Sequence, residues 1–193
     1  MCFSGTSGHS HGLVTIIAIF SSKNGVSFLE NVQMALKWLF FAGTQGQQLF
    51  SIFALEPSVV QDSIDGGEDQ TIPMLSVNGL LLKDLQPLIS KTNKYLPDNP
   101  QTGISLHDGP HKFTITGPPC ALYGLIANLY TICAPNGSDQ SKVEFAKQKP
   151  VFSMCFLVVG VPFHSQYLWD AVDKVISQDL NGEKLWTAKG PRF

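Results

Sequence analysis

Apolar positions fall into two regimes along the chain. From Leu13 to Phe20 they run almost unbroken after a Gly-His-Ser turn and give way to Ser21-Ser22-Lys23-Asn24-Gly25, the pattern of a buried helix with a glycine stop. Ser10 is thereby placed near a helix N-terminus. From Ser27 to Phe41, the residues Phe28, Leu29, Val32, Met34, Ala35, Trp38 and Leu39 recur at helical spacing. A second amphipathic helix is expected there, running on towards Phe50 and mostly buried in core. Glu56 to Ile72 carries acids and Gly66-Gly67 without a strong period, which reads as a surface loop with at most a short helix over Pro57 to Ser63.

At Pro73 the period changes. A short strand is expected over Met74 to Val77, a helix from about Leu82 to Asn93, then two extended segments, Gly103 to Leu106 and Lys112 to Thr116, joined by an Asp108-Gly109 hairpin turn. Helical spacing returns over Cys120 to Cys133 after Pro118-Pro119, and Phe152 to Val159 reads as a strand. The order β-α-β-β-α-β suggests a ferredoxin-like insert. Ser165 to Leu180 reads as a last helix, ended by Asn181-Gly182.

Composition narrows the function classes. With 44% hydrophobic and 15% charged residues the chain is globular rather than disordered. The net charge is −2, and the lysines form no stripe that would neutralise phosphates, so nucleic acid is not an expected partner. Cys2, Cys120, Cys133 and Cys155 lie far apart without a CxxC pair, which suits reduced thiols better than zinc or a disulfide framework. No apolar run approaches membrane-spanning length and no secretory leader is evident, so a cytoplasmic protein is expected.

Gly8-His9-Ser10-His11-Gly12 has the Gly-x-Ser-x-Gly form of a nucleophile elbow, in which glycines permit a strained turn that lifts the serine oxygen into a pocket. The backbone N–H of His11, following the nucleophile, would then face the developing oxyanion, aided by the positive end of the next helix. The bland alternative is that Ser10 merely caps a helix. A serine nucleophile needs a base. His9 and His11 adjoin Ser10 in a tight turn and are poorly aimed for that role, whereas His164 lies in the loop Val161-Pro162-Phe163-His164-Ser165, after a strand. An ordinary loop histidine remains its alternative reading. His9 and His11 lack an evident third ligand for a metal, so no metal is expected.

Gly8-His9-Ser10-His11-Gly12-Leu13-Val14-Thr15 resembles the elbow of the acetyltransferase domain in fungal-type fatty acid synthase beta subunits, and related beta subunits that make polyketide starter chains look similar. Leu39-Phe40-Phe41-Ala42-Gly43, Pro73-Met74-Leu75-Ser76-Val77, Ile104-Ser105-Leu106, Thr116-Gly117-Pro118-Pro119, Leu122-Tyr123-Gly124-Leu125 and Pro162-Phe163-His164-Ser165 resemble that family in order and spacing. The resemblance implies an α/β fold: an incomplete α/β-hydrolase-like acyltransferase core with an inserted ferredoxin-like α+β subdomain. It divides the chain into a partial core with the elbow (1–72), the ferredoxin-like subdomain (73–159) and a return to the core (160–193). It also implies Ser10 as nucleophile, His164 as general base and acid, and Ala42 and Phe163 in the acyl pocket. No cofactor is expected to be bound. Acyl-coenzyme A and the phosphopantetheine of acyl carrier protein would be substrates. The fatty acid synthase alpha subunit and the remainder of the beta subunit would be partners.

Acyl choice follows from a missing residue type. Related malonyl transferases place an arginine on the second helix to grip the free carboxylate, a bidentate contact that lysine reproduces poorly. Ala42 stands at that position, Leu13 replaces the glutamate after the elbow, and the chain's one arginine is Arg192. An uncharged acetyl or short starter group is therefore expected. Asp108 and His11 depart from the family's asparagine and glutamine, and the Gly-Gln-Gly segment that supplies a second oxyanion donor has no match. The resemblance therefore implies a piece truncated at both ends, with a catalytically inactive remnant as the alternative. A serine esterase is disfavoured because nothing selects Asp108 or Asp139 as the acid partner.

Overall fold

The structure is a computed structural model that describes residue 5 and residues 7–49, 55–96 and 101–183. Two compact units form, one from residues 1–49 with 169–193 and the other from 50–168.

The first unit is helical. Helix α1 (His11–Phe20) and the longer α2 (Gly25–Leu49) form a hairpin, with α6 (Trp169–Lys174) and a following π turn, Val175–Asp179, packed on α2. Asn24 starts α2: its side-chain oxygen accepts from the amide of Ser27 at 2.9 Å, while the Ser27 hydroxyl accepts from the amides of Lys23 and Asn24. Val14 and Ala18 of α1 cluster with Ala35, Trp38 and Leu39 of α2. The expectation that α2 is mostly core is corrected, because Val26, Leu29, Leu36 and Phe40 are exposed. The final segment is not one helix either. It divides into a 3-10 turn, Gln166–Leu168, then α6, then the π turn, and reverses near Gly182 with φ of 81°.

The second unit opens with α3 (Pro57–Gly66), which runs past Ser63 and ends on Gly67 in the left-handed region, φ 88°, where glycine avoids the Cβ penalty. Next come β1 (Met74–Asn78), α4 (Leu82–Asn93), β2 (Gly103–Gly109), β3 (Lys112–Thr116), α5 (Pro119–Ile132) and β4 (Ser153–Phe156). The four strands form one antiparallel sheet in the order β2-β3-β1-β4. Leu75 faces Ile115 and Phe156, and Val77 faces Phe113, so the two-residue period of the strands turns one row inward. Leu85 and Ile89 of α4 and Leu122, Leu125 and Leu129 of α5 complete that core. The Asn93 side chain clasps Thr102, accepting from its amide and donating to its carbonyl.

Two expectations change here. Asp108-Gly109 is not the hairpin turn: register shifts after Ile104 and after His107 lengthen β2 to Gly109, and the chain turns at Pro110-His111. The run Phe152 to Val159 is apolar, yet only Ser153–Phe156 pairs, and Val158 is exposed beyond it. Cys120, Cys133 and Cys155 carry free thiols. No helix among the described residues is long and apolar enough to cross a membrane.

Candidate active site

Ser10 immediately precedes α1 with φ 53° and ψ −120°, a conformation that costs a non-glycine residue on the order of 1–3 kcal/mol. The surrounding turn explains how it is held. A Cβ on Gly8 would lie 2.6 Å from backbone atoms of Gly12, so only glycine lets the two strokes of the turn touch. A Cβ on Gly12 would meet nothing within 4 Å, so the second glycine of the motif is not demanded by these contacts. The amides of Gly12 and Leu13 donate to the carbonyls of His9 and Ser10 at 2.9 and 3.0 Å, closing the first turn of α1. His11 is the first residue of α1, at the end where the helix dipole is positive. Ser10 is half-buried and His11 exposed.

Ala42 lies on α2, the helix that pairs with α1 in the hairpin. The Asn31 side chain donates to the Ser22 hydroxyl at 3.0 Å near the connection, which sets the antiparallel register. Stepping both helices by about one turn per four residues brings Ala18 level with Ala35, Val14 with Leu39, and Ser10 with Gly43, in keeping with the observed cluster of Val14, Ala18, Ala35, Trp38 and Leu39. Ala42 and Gly43 thus continue the α1-facing side of α2 beyond the last α1 contact, at the level of Ser10. The sequence motif pointed to Ala42. Gly43 comes from the register, and a Cβ there would meet open space.

Phe163 and His164 belong to the second unit. Their loop is pinned by the buried Val161 and Pro162. The Phe163 amide donates to the Val161 carbonyl at 2.8 Å, and the Ser165 hydroxyl donates to the Pro162 carbonyl at 2.5 Å. Between these bonds His164 takes φ 60° and is exposed, while Phe163 is half-buried. A positive φ at a non-glycine residue is uncommon and concentrates at functional turns. The Tyr167 hydroxyl, three residues on, donates to the Gln101 carbonyl at 2.6 Å. Burial, with a smaller contribution from Cys120, raises the Tyr167 phenol above its ordinary range, so it stays a protonated donor. Sequence reasoning missed this bond, because nothing in the spacing of Gln101 and Tyr167 announces it. Among the described residues no group of three or more His, Cys, Asp and Glu is placed to hold a metal ion.

Ser10 at positive φ before α1 and His164 at positive φ in its loop are the two sequence-predicted site residues with uncommon backbone conformations. The family model described as SAT, the starter unit:ACP transacylase in aflatoxin biosynthesis, matches residues 4–147. The chain belongs to this family. Similar proteins to this SAT-family chain include the fatty acid synthase subunit beta of Schizosaccharomyces pombe, 40% identical over 191 residues, which covers 99% of this chain and 9% of that protein. The fatty acid synthase subunit beta of Saccharomyces cerevisiae is 40% identical over 176 residues, covering 91% of this chain and 8% of that protein. The fatty acid synthase beta subunit TOXC of Cochliobolus carbonum is 36% identical over 176 residues, 91% of this chain and 8% of that protein. The chain therefore spans less than a tenth of the length of these fungal relatives. Among solved structures, it resembles a malonyl CoA-acyl carrier protein transacylase from Clostridium perfringens with a TM-score of 0.51 and 16% identity, over 88% of this chain and 39% of that one. That likeness concerns the fold: mixed α/β, of the acyltransferase kind, with a small antiparallel sheet.

Proposed function

We propose that this SAT-family chain carries a starter acyl group on Ser10 in fatty acid synthesis, taking acetyl or another short uncharged acyl group from coenzyme A and passing it to the phosphopantetheine thiol of an acyl carrier protein. The observation that carries the reading is the backbone of Ser10, held at φ 53° in a turn that only glycine at position 8 can close. The fuller architecture we assign is an α/β-hydrolase-like core around α1 with the sheet unit as a ferredoxin-like subdomain, functioning with the rest of a beta subunit and with an alpha subunit.

In the first half-reaction the Ser10 Oγ attacks the thioester carbonyl while His164 accepts its proton. Negative charge gathers on the carbonyl oxygen, where the His11 amide and the positive end of α1 stabilise it. As the tetrahedral adduct collapses, the C–S bond breaks, and His164 returns the proton to the departing coenzyme A thiolate. In the second half-reaction His164 takes the proton of the pantetheine thiol, sulfur attacks the Ser10 ester, and the proton goes back to Ser10 Oγ. No net proton or electron is gained or lost. The reading assigns Ala42, with its methyl group, and Phe163, with its ring, to the acyl group. Neither Ala42 nor Leu13 supplies a charge to hold a malonyl carboxylate.

The test is the complete transfer. Acetyl-coenzyme A and a phosphopantetheinylated carrier protein are mixed with the chain, and free coenzyme A and acetyl-carrier are followed together. The reading predicts their release in equal amounts, with malonyl-coenzyme A a poor donor. Malonyl transfer as fast as acetyl would remove the assignment of Ala42. No transfer from a folded chain supplied with the other parts of a beta subunit would favour a remnant without turnover.

A further inference from the structure

The loop that carries His164 is shaped by bonds within itself. The Phe163 amide on the Val161 carbonyl and the Ser165 hydroxyl on the Pro162 carbonyl are local, and they constrain the loop only against itself. Buried Val161 and Leu168 hold its two ends by apolar packing, which is non-directional. The Tyr167 hydroxyl does something different. It donates to the Gln101 carbonyl at 2.6 Å across 66 residues of sequence, a directional bond to another part of the sheet unit.

Both ends of this tie are stiff. On the loop side, Gln166–Leu168 is a 3-10 turn closed by the Leu168 amide on the Ser165 carbonyl at 3.2 Å, and His164, at φ 60°, is joined directly to that turn. On the sheet side, Gln101 precedes Thr102, whose amide and hydroxyl both donate to the Asn93 side-chain oxygen at 2.9 Å, while its carbonyl accepts from the Asn93 side chain at 2.8 Å. Gly117 approaches the same residue closely, since a Cβ there would lie 2.8 Å from the Thr102 side chain. Thr102 is thus fixed to α4 and to the segment before α5, and β2 begins at the next residue. The chain leaves the sheet unit at Leu168 and continues as α6 of the helical unit, so the His164 loop lies just before the passage from one unit to the other.

We propose that Tyr167 is a positioning residue for His164: its hydroxyl, bonded to the Gln101 carbonyl, makes the loop move with the sheet unit and holds the His164 backbone in the orientation proton transfer needs. The inference rests on His164 being the base for Ser10. In this role Tyr167 takes no part in the proton transfer itself and acts through the 3-10 turn. Burial raises the phenol pKa, so the tie persists at neutral pH.

Two measurements on Tyr167→Phe, His164→Ala and the double variant test this: the rate of Ser10 loading by acetyl-coenzyme A, with the other parts of a beta subunit present, and amide hydrogen exchange. Tyr167→Phe should slow loading at saturating acetyl-coenzyme A by about tenfold, while the half-saturating concentration stays within about twofold. It should also speed exchange of the Phe163 and Leu168 amides by about tenfold and leave β1 and β3 unchanged. His164→Ala should slow loading by at least about a hundredfold, and adding Tyr167→Phe to it should have no further effect. Full-speed loading by Tyr167→Phe beside a slow His164→Ala would overturn the proposal and leave the base assignment standing. Equal slowing by Tyr167→Phe with and without His164 would overturn it as well, because the phenol would then not act through the base. Unchanged exchange at Phe163 and Leu168 would mean that there is no tie to break, whatever the loading rate. Normal loading by His164→Ala, or no loading by the unsubstituted chain, would remove the reading of His164 and the proposal with it.

Discussion

The two compact units enclose their apolar side chains to different degrees. In the sheet unit Leu75, Val77, Leu85, Ile115, Leu122, Leu125 and Leu129 are all 0% exposed, a closed core of large residues. The helical unit buries mostly smaller ones, Val14, Ala18, Ala35, Ala171 and Val175, and leaves Leu13, Val26, Leu29, Leu36 and Phe40 open. The strained serine thus lies in the unit with the thinner core, while the loop of His164 springs from the unit that closes on itself. Strain persists only where neighbouring structure over-determines it. At Ser10 that work falls on the Gly8–Gly12 contact and the α1–α2 hairpin. At His164 it falls on Val161, Pro162 and two local hydrogen bonds.

Breaking the closed core should have the largest effect. Phe113→Ala, which removes a ring buried among β1, β3 and their helices, should cost the sheet unit about 3–5 kcal/mol in urea unfolding. A loss below about 1 kcal/mol would mean that this core is not closed. Gly8→Ala sharpens the contrast from the other side. A methyl group 2.6 Å from the Gly12 backbone must displace Ser10, so acyl loading should fall by about a hundredfold while the unfolding midpoint of the sheet unit stays put. Equal losses of loading and of sheet stability would erase the distinction between the units.

The smallest effect concerns Glu68, 3% exposed beside Gly66 in the sheet unit. Desolvation lifts its carboxyl above the ordinary value of 4.5, against a weaker opposing bond from its own backbone amide. With a raised folded pKa, its favourable contribution is full below the unfolded pKa and is lost as pH rises through the folded one. Glu68→Gln should therefore raise the melting temperature at pH 7, by about 3 °C, and change it little at pH 4. A stabilisation of equal size at both pH values would show that charge is not the cause.

Most of the sheet unit was legible because its signals are local. Alternating apolar residues at Leu75 and Val77, Pro118-Pro119 before an apolar helix, and the helical spacing over Leu82 to Asn93 each name an element without help from distant residues. What escaped depends on partners far along the chain. The bulges that move the hairpin turn to Pro110-His111 depend on pairing between β2 and β3, and the exposure of α2 depends on which neighbours cover it. At the candidate site, Ser10 and its glycines were legible from one pentapeptide. The position of Gly43 was not, since it follows from the Ser22–Asn31 bond and the helix register it sets.

The most direct measurement is the mass of the chain after brief exposure to acetyl-coenzyme A, followed by peptide mapping. The account predicts an added acetyl group on the peptide containing Ser10, absent in Ser10→Ala. An adduct on another residue, or one that survives Ser10→Ala, would contradict it.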